Sequence, residues 1–474
     1  MIGVISLNPQ RLVPDDQAPA VSTTAARAPN MWKLASILTL LLSLSTAACG
    51  AREAPATPPV VSPWAPVAPD AAAVRPSTAA PSEPTAAPSE PEVNPPKPKP
   101  TATWPAPTTV PSVPIGRILQ LPVPAFINAV SGLAGGDVVL AGNLLANTKE
   151  VSFNRWVARI DKDDKIQLKT LGAGTFNAIH ARPDGSALVG GNKPLGAKPG
   201  DDEAPDSAFI AMIARDNKVI WEQTFAGEGS SRFDSVALLP NGGALGVGLR
   251  APVFGKTYGL VGVVTESGEK LWDDTSMPQN GFLHAKDVAV LASGRILAVG
   301  GIHAPSALTL YDAWVALYEP SGKLIIKRGL DSPGWAPSEF VTGIFDGGAM
   351  SVGLSRLEAD HGDVRASVLV IRMDANADVI WRKSIGEHAT LVSDVIEVQG
   401  GVMFVVTKVE QPRVFSSWLV KVDLDGRDTW EEIQIDSKYR VTSLAPTPNG
   451  GLVLIARPPV DSHRPFWIGR SGPR

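Results

Sequence analysis

Residues 240–272 read P-N-G-G-A-L-G-V-G-L-R-A-P-V-F-G-K-T-Y-G-L-V-G-V-V-T-E-S-G-E-K-L-W. Asn241-Gly242 leads into an alternating apolar strand, and Glu266-Ser267-Gly268 separates L-V-G-V-V from K-L-W. Such pairs are hairpin turns, because tight turns need a left-handed backbone that suits Asn, Asp and Gly. The first of these hairpins recurs. It reads A-G-G-D-V-V-L-A-G at 134–142, P-D-G-S-A-L-V-G-G at 183–191, A-S-G-R-I-L-A-V-G at 292–300 and F-D-G-G-A-M-S-V-G at 345–353. The last two copies are V-Q-G-G-V-M-F-V-V at 398–406 and P-N-G-G-L-V-L-I-A at 448–456. With 240–248 that makes seven copies, spaced 49 to 57 residues apart.

A second hairpin lies between successive copies, as in W-V-A-R-I-D-K-D-D-K-I at 156–166 and S-W-L-V-K-V-D-L-D-G-R-D-T-W at 417–430. Two hairpins per repeat give four strands, and no stretch carries a convincing helical period. A four-stranded unit repeated at this interval is a propeller blade. The expected fold is therefore all-β: a single β-propeller over 116–474, of seven four-stranded blades, or eight if one repeat has decayed. Each blade buries its faces only against its neighbours, so the ring must close. The seventh copy ends with F-W-I-G-R at 466–470 and lacks a fourth strand, while R-I-L-Q-L-P-V at 117–123 stands alone before the first. Strand 117–123 is expected to complete the C-terminal blade. A closed ring of this kind is expected to leave no free sheet edge and to be a monomer.

The motif W-[VL]-x-[KR]-[IVL]-D-x-[DN]-G-x-x-x-W followed by P-[DN]-G-G resembles the repeats of bacterial quinoprotein-like (PQQ-like) propellers and their relatives, over residues 116–474. Trp221, Trp272, Trp381 and Trp430 match its final tryptophan, with Leu168 and Ile326 at that place in two other repeats. The resemblance implies that these tryptophans dock one blade on the next. Its members include scaffolds, binders and enzymes, so it implies a fold more than a function.

The segment before the repeats is of a different kind. Residues 31–49 read M-W-K-L-A-S-I-L-T-L-L-L-S-L-S-T-A-A-C. Lys33, a short apolar run and small residues before Cys49 resemble a bacterial lipoprotein signal, with 31–48 as the signal peptide and Cys49 as the lipidated residue. Thr46 departs from the Leu or Val usual three places before that cysteine. Residues 1–30 place such a signal unusually deep, and are read as a non-native upstream extension with Met31 as the start. Residues 49–115 collapse to Ala, Pro, Ser, Thr, Val and Glu, as in P-S-T-A-A-P-S-E-P. Repeated Pro there blocks helix and sheet. At ~3.1 Å per residue this disordered tether reaches roughly 200 Å.

Composition narrows the chemistry. Forty-three basic and 47 acidic residues give a net charge of -4, which argues against a nucleic-acid surface. One cysteine excludes an intrachain disulfide, a CxxC pair and multi-cysteine zinc. Asp161, Asp163 and Asp164, Asp374, Asn376 and Asp378, and Asp423, Asp425 and Asp428 have oxygen spacings that suit Ca²⁺. They recur at one hairpin, where Asx residues serve turn geometry. The six histidines, His180, His284, His303, His361, His388 and His463, show no metal-ligand spacing. No nucleophile elbow, P-loop or dinucleotide fingerprint is present. No catalytic residue, cofactor or metal is assigned.

Three loops depart from the repeat: 193–205, 331–338 with Trp335, and 356–365 with Glu358, Asp360, His361 and Asp363. Trp335, Glu358, Asp360, His361 and Asp363 are the expected partner-binding residues. The expected function is a lipid-anchored binding or scaffolding protein of the bacterial envelope, at the outer membrane or cell surface, meeting an envelope protein or polysaccharide. The alternative is a propeller enzyme: a quinoprotein-like oxidoreductase, lyase or hydrolase.

Overall fold

The computed structural model describes residues 115–471, apart from short connecting segments that include 148–151, 195–204, 277–281, 304–310, 331–338, 359–363 and 459–464. Cys49, the signal and the tether lie outside the described residues, as do Trp335, Asp360, His361 and Asp363. The chain divides into two units, 1–94 and 95–474. Every described residue belongs to the second.

The first strand, β1 (Ile115–Leu119), precedes the repeats. Blade 1 is β2 (Phe126–Gly132), β3 (Val138–Asn147), β4 (Ser152–Ile160) and β5 (Ile166–Ala173). Blade 2 is β6 (Thr175–Ala181), β7 (Ala187–Pro194), β8 (Asp206–Ile213) and β9 (Val219–Phe225). Blade 3 is β10 (Ser230–Leu238), β11 (Ala244–Val253), β12 (Lys256–Val264) and β13 (Lys270–Ser276). Blade 4 is β14 (Phe282–Val290), β15 (Ile296–His303), β16 (Tyr311–Tyr318) and β17 (Leu324–Gly329). Blade 5 is β18 (Phe340–Gly343), β19 (Ala349–Glu358), β20 (Val364–Met373) and β21 (Val379–Ile385). Blade 6 is β22 (Ala389–Val398), β23 (Gly401–Gln411), β24 (Val414–Asp423) and β25 (Asp428–Glu432). Blade 7 is β26 (Arg440–Pro446), β27 (Leu452–Arg457) and β28 (Phe466–Ser471), and β1 fills its fourth place.

This is a β-propeller of seven four-stranded antiparallel blades, with each innermost strand against the next and β26 against β2. The closure runs as the sequence implies, with the strand at 115–119 instead of 117–123. Ile115 to Leu119 pair with Arg470 to Phe466, and the strand stops before Leu121. Seven apolar clusters fill the seven seams, each drawn from two adjacent blades; one joins Leu140, Trp156 and Ile160 of blade 1 to Val453, Ile455 and Ile468 of blade 7. Burial is thus shared between neighbours, as a repeat that cannot cover its own faces requires.

The third-to-fourth hairpins hold the seams at their rim. Their left-handed position is Asp164, Asn217, Gly268, Gly322, Ala377 or Gly426, with φ between 62° and 91°. Asp161, Asp374 and Asp423 each accept two backbone N–H groups of their own turn, at 2.8 to 2.9 Å. These carboxylates therefore brace turns. The preceding blade grips each hairpin. Trp221 and Trp272 cover Gly268 and Gly322. Trp381 donates from Nε1 to the Leu424 carbonyl at 2.9 Å. Where an aromatic is absent, Arg159 bonds Asn217 and the Ala214 carbonyl, and Arg328 bonds the Ala377 carbonyl and Asp378.

Trp430 also docks between blades, but on the preceding blade, whereas Trp221, Trp272 and Trp381 dock on the next. The Trp430 indole turns back over Gly386, packs edge-on against Trp418 and donates to Asp428. The cause is a single residue. Strands β9, β13, β17 and β21 each carry a bulge beside their hairpin, whereas β5 and β25 do not. A one-residue shift flips a side chain to the other sheet face. Trp430 and Leu168 accordingly join the clusters shared with the preceding blade. The extra residues, Ile220, Leu271, Ile325 and Ile380, stand exposed at the perimeter. The ring also keeps edges that the sequence reading removed, since the outermost strand of each blade pairs on one side only. Bulges that twist these strands are a known way to blunt such edges.

Candidate functional site: the entrance face of the ring

Each innermost strand begins at the face where the second strand ends and the third begins. Connections between blades reach the same face. Segments 195–204, 331–338 and 359–363 therefore join strand ends at this one face, called here the entrance face, whereas the opposite face is closed by tight hairpins. Glu358 is the last residue of β19 and pairs with Val364, so the flanks of the 356–365 segment are strand. The described strand ends that flank the three departures noticed in sequence thus lie at the same face.

The inner strands carry polar residues that sequence reasoning missed. A bulge interrupts β2, β6, β10, β14, β22 and β26 near its entrance end. It frees Asn128, Asn177, Asp234 and Asp394 from ladder pairing, so their side chains can reach the neighbouring blade, whereas Asp287 is paired and follows the freed Lys286. Asn128 donates to the Phe176 carbonyl at 2.7 Å, and Asn177 to the Phe233 carbonyl at 2.9 Å. Asp234 accepts from His284 Nε2 at 2.5 Å. Asp287 accepts from Ser235 Oγ at 2.5 Å and from the Val341 N–H at 2.8 Å. Asp394 accepts the Leu444 N–H at 3.1 Å. These bonds stitch the inner strands blade to blade. Their signal in sequence was a second periodicity: N-A-V at 128–130, N-A-I at 177–179, D-S-V at 234–236, K-D-V at 286–288, D-V-I at 394–396 and T-S-L at 442–444.

Their ionisation states follow from burial and neighbours. Burial pushes the Asp394 carboxyl up to about 7, and the nearby Asp287 charge adds to this. Burial raises Asp287 to about 6 against the pull of its three hydrogen bonds. Burial and the Lys286 ammonium hold His284 down at about 4. Burial opposes ionisation of Asp234 as well, but Arg232, His284 and Lys286 together keep it well below the usual carboxylate range. Near neutral pH the pair is a carboxylate holding a neutral imidazole, which donates through Nε2. The carboxylate orients the imidazole, but a ring held at about 4 is a weak proton acceptor near neutral pH.

In blade 7 the same end carries Arg440 and Arg457, which sit directly opposite on β26 and β27. Arg457 Nη1 donates to the Ile127 carbonyl of blade 1 at 3.0 Å. Burial lowers both guanidinium pKa values, and Arg440 depresses Arg457 further, to about 10. His180 and His284 do not meet: His180 pairs with Leu188 close to the hairpin face, and His284 stands at the entrance. His361, His388 and His463 lie outside the described residues. Among the described residues no three His, Cys, Asp or Glu converge at metal-binding distance.

No protein-family model and no curated protein matches the chain. Solved structures do. A polysaccharide lyase superposes with a TM-score of 0.49 at 9% identity, over 73% of this chain and 89% of that one. An α-L-arabinanase of Penicillium chrysogenum complexed with arabinobiose gives 0.43 at 11%, over 76% and 98%. A glucose dehydrogenase gives 0.39 at 11%, over 76% and 100%.

Proposed function

We propose that the chain is an extracytoplasmic binding lipoprotein. Lipid on Cys49 anchors it at the outer membrane or cell surface, residues 49–115 extend it, and the propeller offers its entrance face to an envelope protein or polysaccharide. One observation carries this reading. The strand ends that flank the segments departing from the repeat lie at the same face as the charged inner-strand residues, while tight hairpins close the other. Variable connections on a rigid frame are where binding surfaces are built. Trp335, Asp360, His361 and Asp363 fall in those segments, and Glu358 borders one.

A second reading, an enzyme, draws on the Asp234–His284 pair, an oriented neutral imidazole at the entrance. The two readings part on one experiment. The tagged full chain and its Cys49→Ser form are cross-linked in their own membranes and purified. A stoichiometric partner with the anchored form alone supports the binding reading. Absence of any partner, with turnover of a screened polysaccharide that His284→Gln abolishes, supports the enzyme.

A further inference from the structure

One hydrogen bond from Arg457 to the Ile127 carbonyl is the structural role found for the Arg440–Arg457 pair among the described residues, and it leaves two positive charges uncompensated. Two like charges directly across a strand pair repel. An unpaired charge set into a protein is costly. Arg155, Arg250, Arg328, Arg372 and Arg470 each meet a carboxylate, at distances from 2.6 to 3.8 Å. Arg440 and Arg457 meet none among the described residues. Arg440 Nε is closed off from solvent with no hydrogen-bond partner, and one carbonyl is the partner of Arg457. The only charge acting on Arg457 among the described residues is that of Arg440, and it is of the same sign.

Position adds a second argument. The register puts both side chains on the sheet face that turns toward blade 1, where Arg457 reaches Ile127. They stand at the entrance end of the seam between blades 7 and 1. At the other end of this seam Arg117 and Arg470 clasp Asp164, at 2.6 and 2.9 Å. The closing seam is therefore pinned by ion pairs at the hairpin face and left with uncompensated positive charge at the entrance.

We propose that Arg440 and Arg457 form a binding site for an oxyanion, a carboxylate, sulfate or phosphate group, at the entrance end of the closing seam. Two planar guanidinium forks from directly paired positions on one sheet face suit the paired oxygens of such a group, and charge-assisted bonds of this kind are short and strong. The bound anion cancels the like-charge repulsion. Its biological use rests on the binding reading above: the partner presents the anion, as an acidic sugar or as an ester of sulfate or phosphate.

The test is a titration of the full chain with sodium sulfate and, separately, sodium glucuronate, at constant ionic strength held with NaCl, followed by melting temperature and calorimetry. Saturable binding is expected in the parent chain. Arg440→Gln is expected to weaken it about tenfold or more. In the absence of ligand the same variant is expected to melt no lower than the parent, because it relieves repulsion. Arg457→Lys keeps the charge but not the fork, and provides a second comparison should Arg440→Gln fold poorly; it is expected to bind several-fold more weakly. Tighter glucuronate than sulfate assigns the site to acidic sugars, and the reverse order to inorganic or ester anions. Isotherms equal in parent and variants, or no saturable binding of either anion, overturn the site. Anion binding without any captured partner leaves the site standing and removes the binding reading.

Discussion

Asp394 shows how one side chain couples the inner ring to pH. Its carboxyl stays protonated in the folded ring until about pH 7, whereas the unfolded chain ionises it near pH 4. Between those values the unfolded state holds fewer protons, so this group's contribution to stability falls as pH rises and levels off above about 7. His284 works in the opposite direction. Held at about 4 in the fold, it lends stability that grows from pH 4 to about 6.5, where the unfolded imidazole loses its proton. The total profile mixes both, so a variant isolates one. Asp394→Asn still accepts the Leu444 N–H but cannot ionise. Its melting temperature relative to the parent is expected to climb from pH 4 to 7 and stay level beyond. The gain is of order 2 kcal/mol, about half the full shift, since the carboxyl is partly solvated. A pH-independent difference would contradict the assignment. Gly268 tests the rim at the same scale. It holds φ at +87°, and an added Cβ comes within 2.5 Å of the Trp221 indole. Gly268→Ala is expected to cost about 2 kcal/mol in urea unfolding, from backbone strain and displacement of the ring.

At the scale of elements, closure depends on one short strand. Gly116 on β1 lies against Trp467, whose indole stands 1.9 Å from where a Cβ would go. Gly116→Val is expected to release β1 from β28. By hydrogen exchange, 115–119 should then lose protection while β10 to β17 keep theirs, and unchanged protection of β1 would refute this. Strand count and closure were legible in the chain because turn chemistry fixes them locally: Asn241-Gly242 and Ser267-Gly268 bend the backbone whatever surrounds them. The fate of Trp430 was not. Its motif matches that of Trp381, yet a bulge present in β21 and absent from β25 turns the two indoles to opposite faces. Bulges follow from pairing between strands, which spacing along the chain does not reveal. The inner polar residues escaped for a related reason. D-S-V and D-V-I read as ordinary alternation until the bulges aim Asp234 and Asp394 toward the next blade. Arg440 and Arg457, seventeen residues apart, meet only through register.

The whole molecule has two unlike ends. Hairpins such as 161–165 and 423–427 close one with internal hydrogen bonds. The other holds the strand ends that flank 195–204, 331–338 and 359–363, the Asp234–His284 pair and the unmatched arginines. The proposed binding role brings partners to this second end. The most direct measurement is photo-cross-linking in the native membrane, with a photoreactive amino acid placed singly at positions 335 and 361, and at 241 and 321 on the hairpin face. The account expects one discrete adduct of the same mass from both 335 and 361, and none from 241 or 321. Adducts from the hairpin face, or equally from both faces, would contradict it.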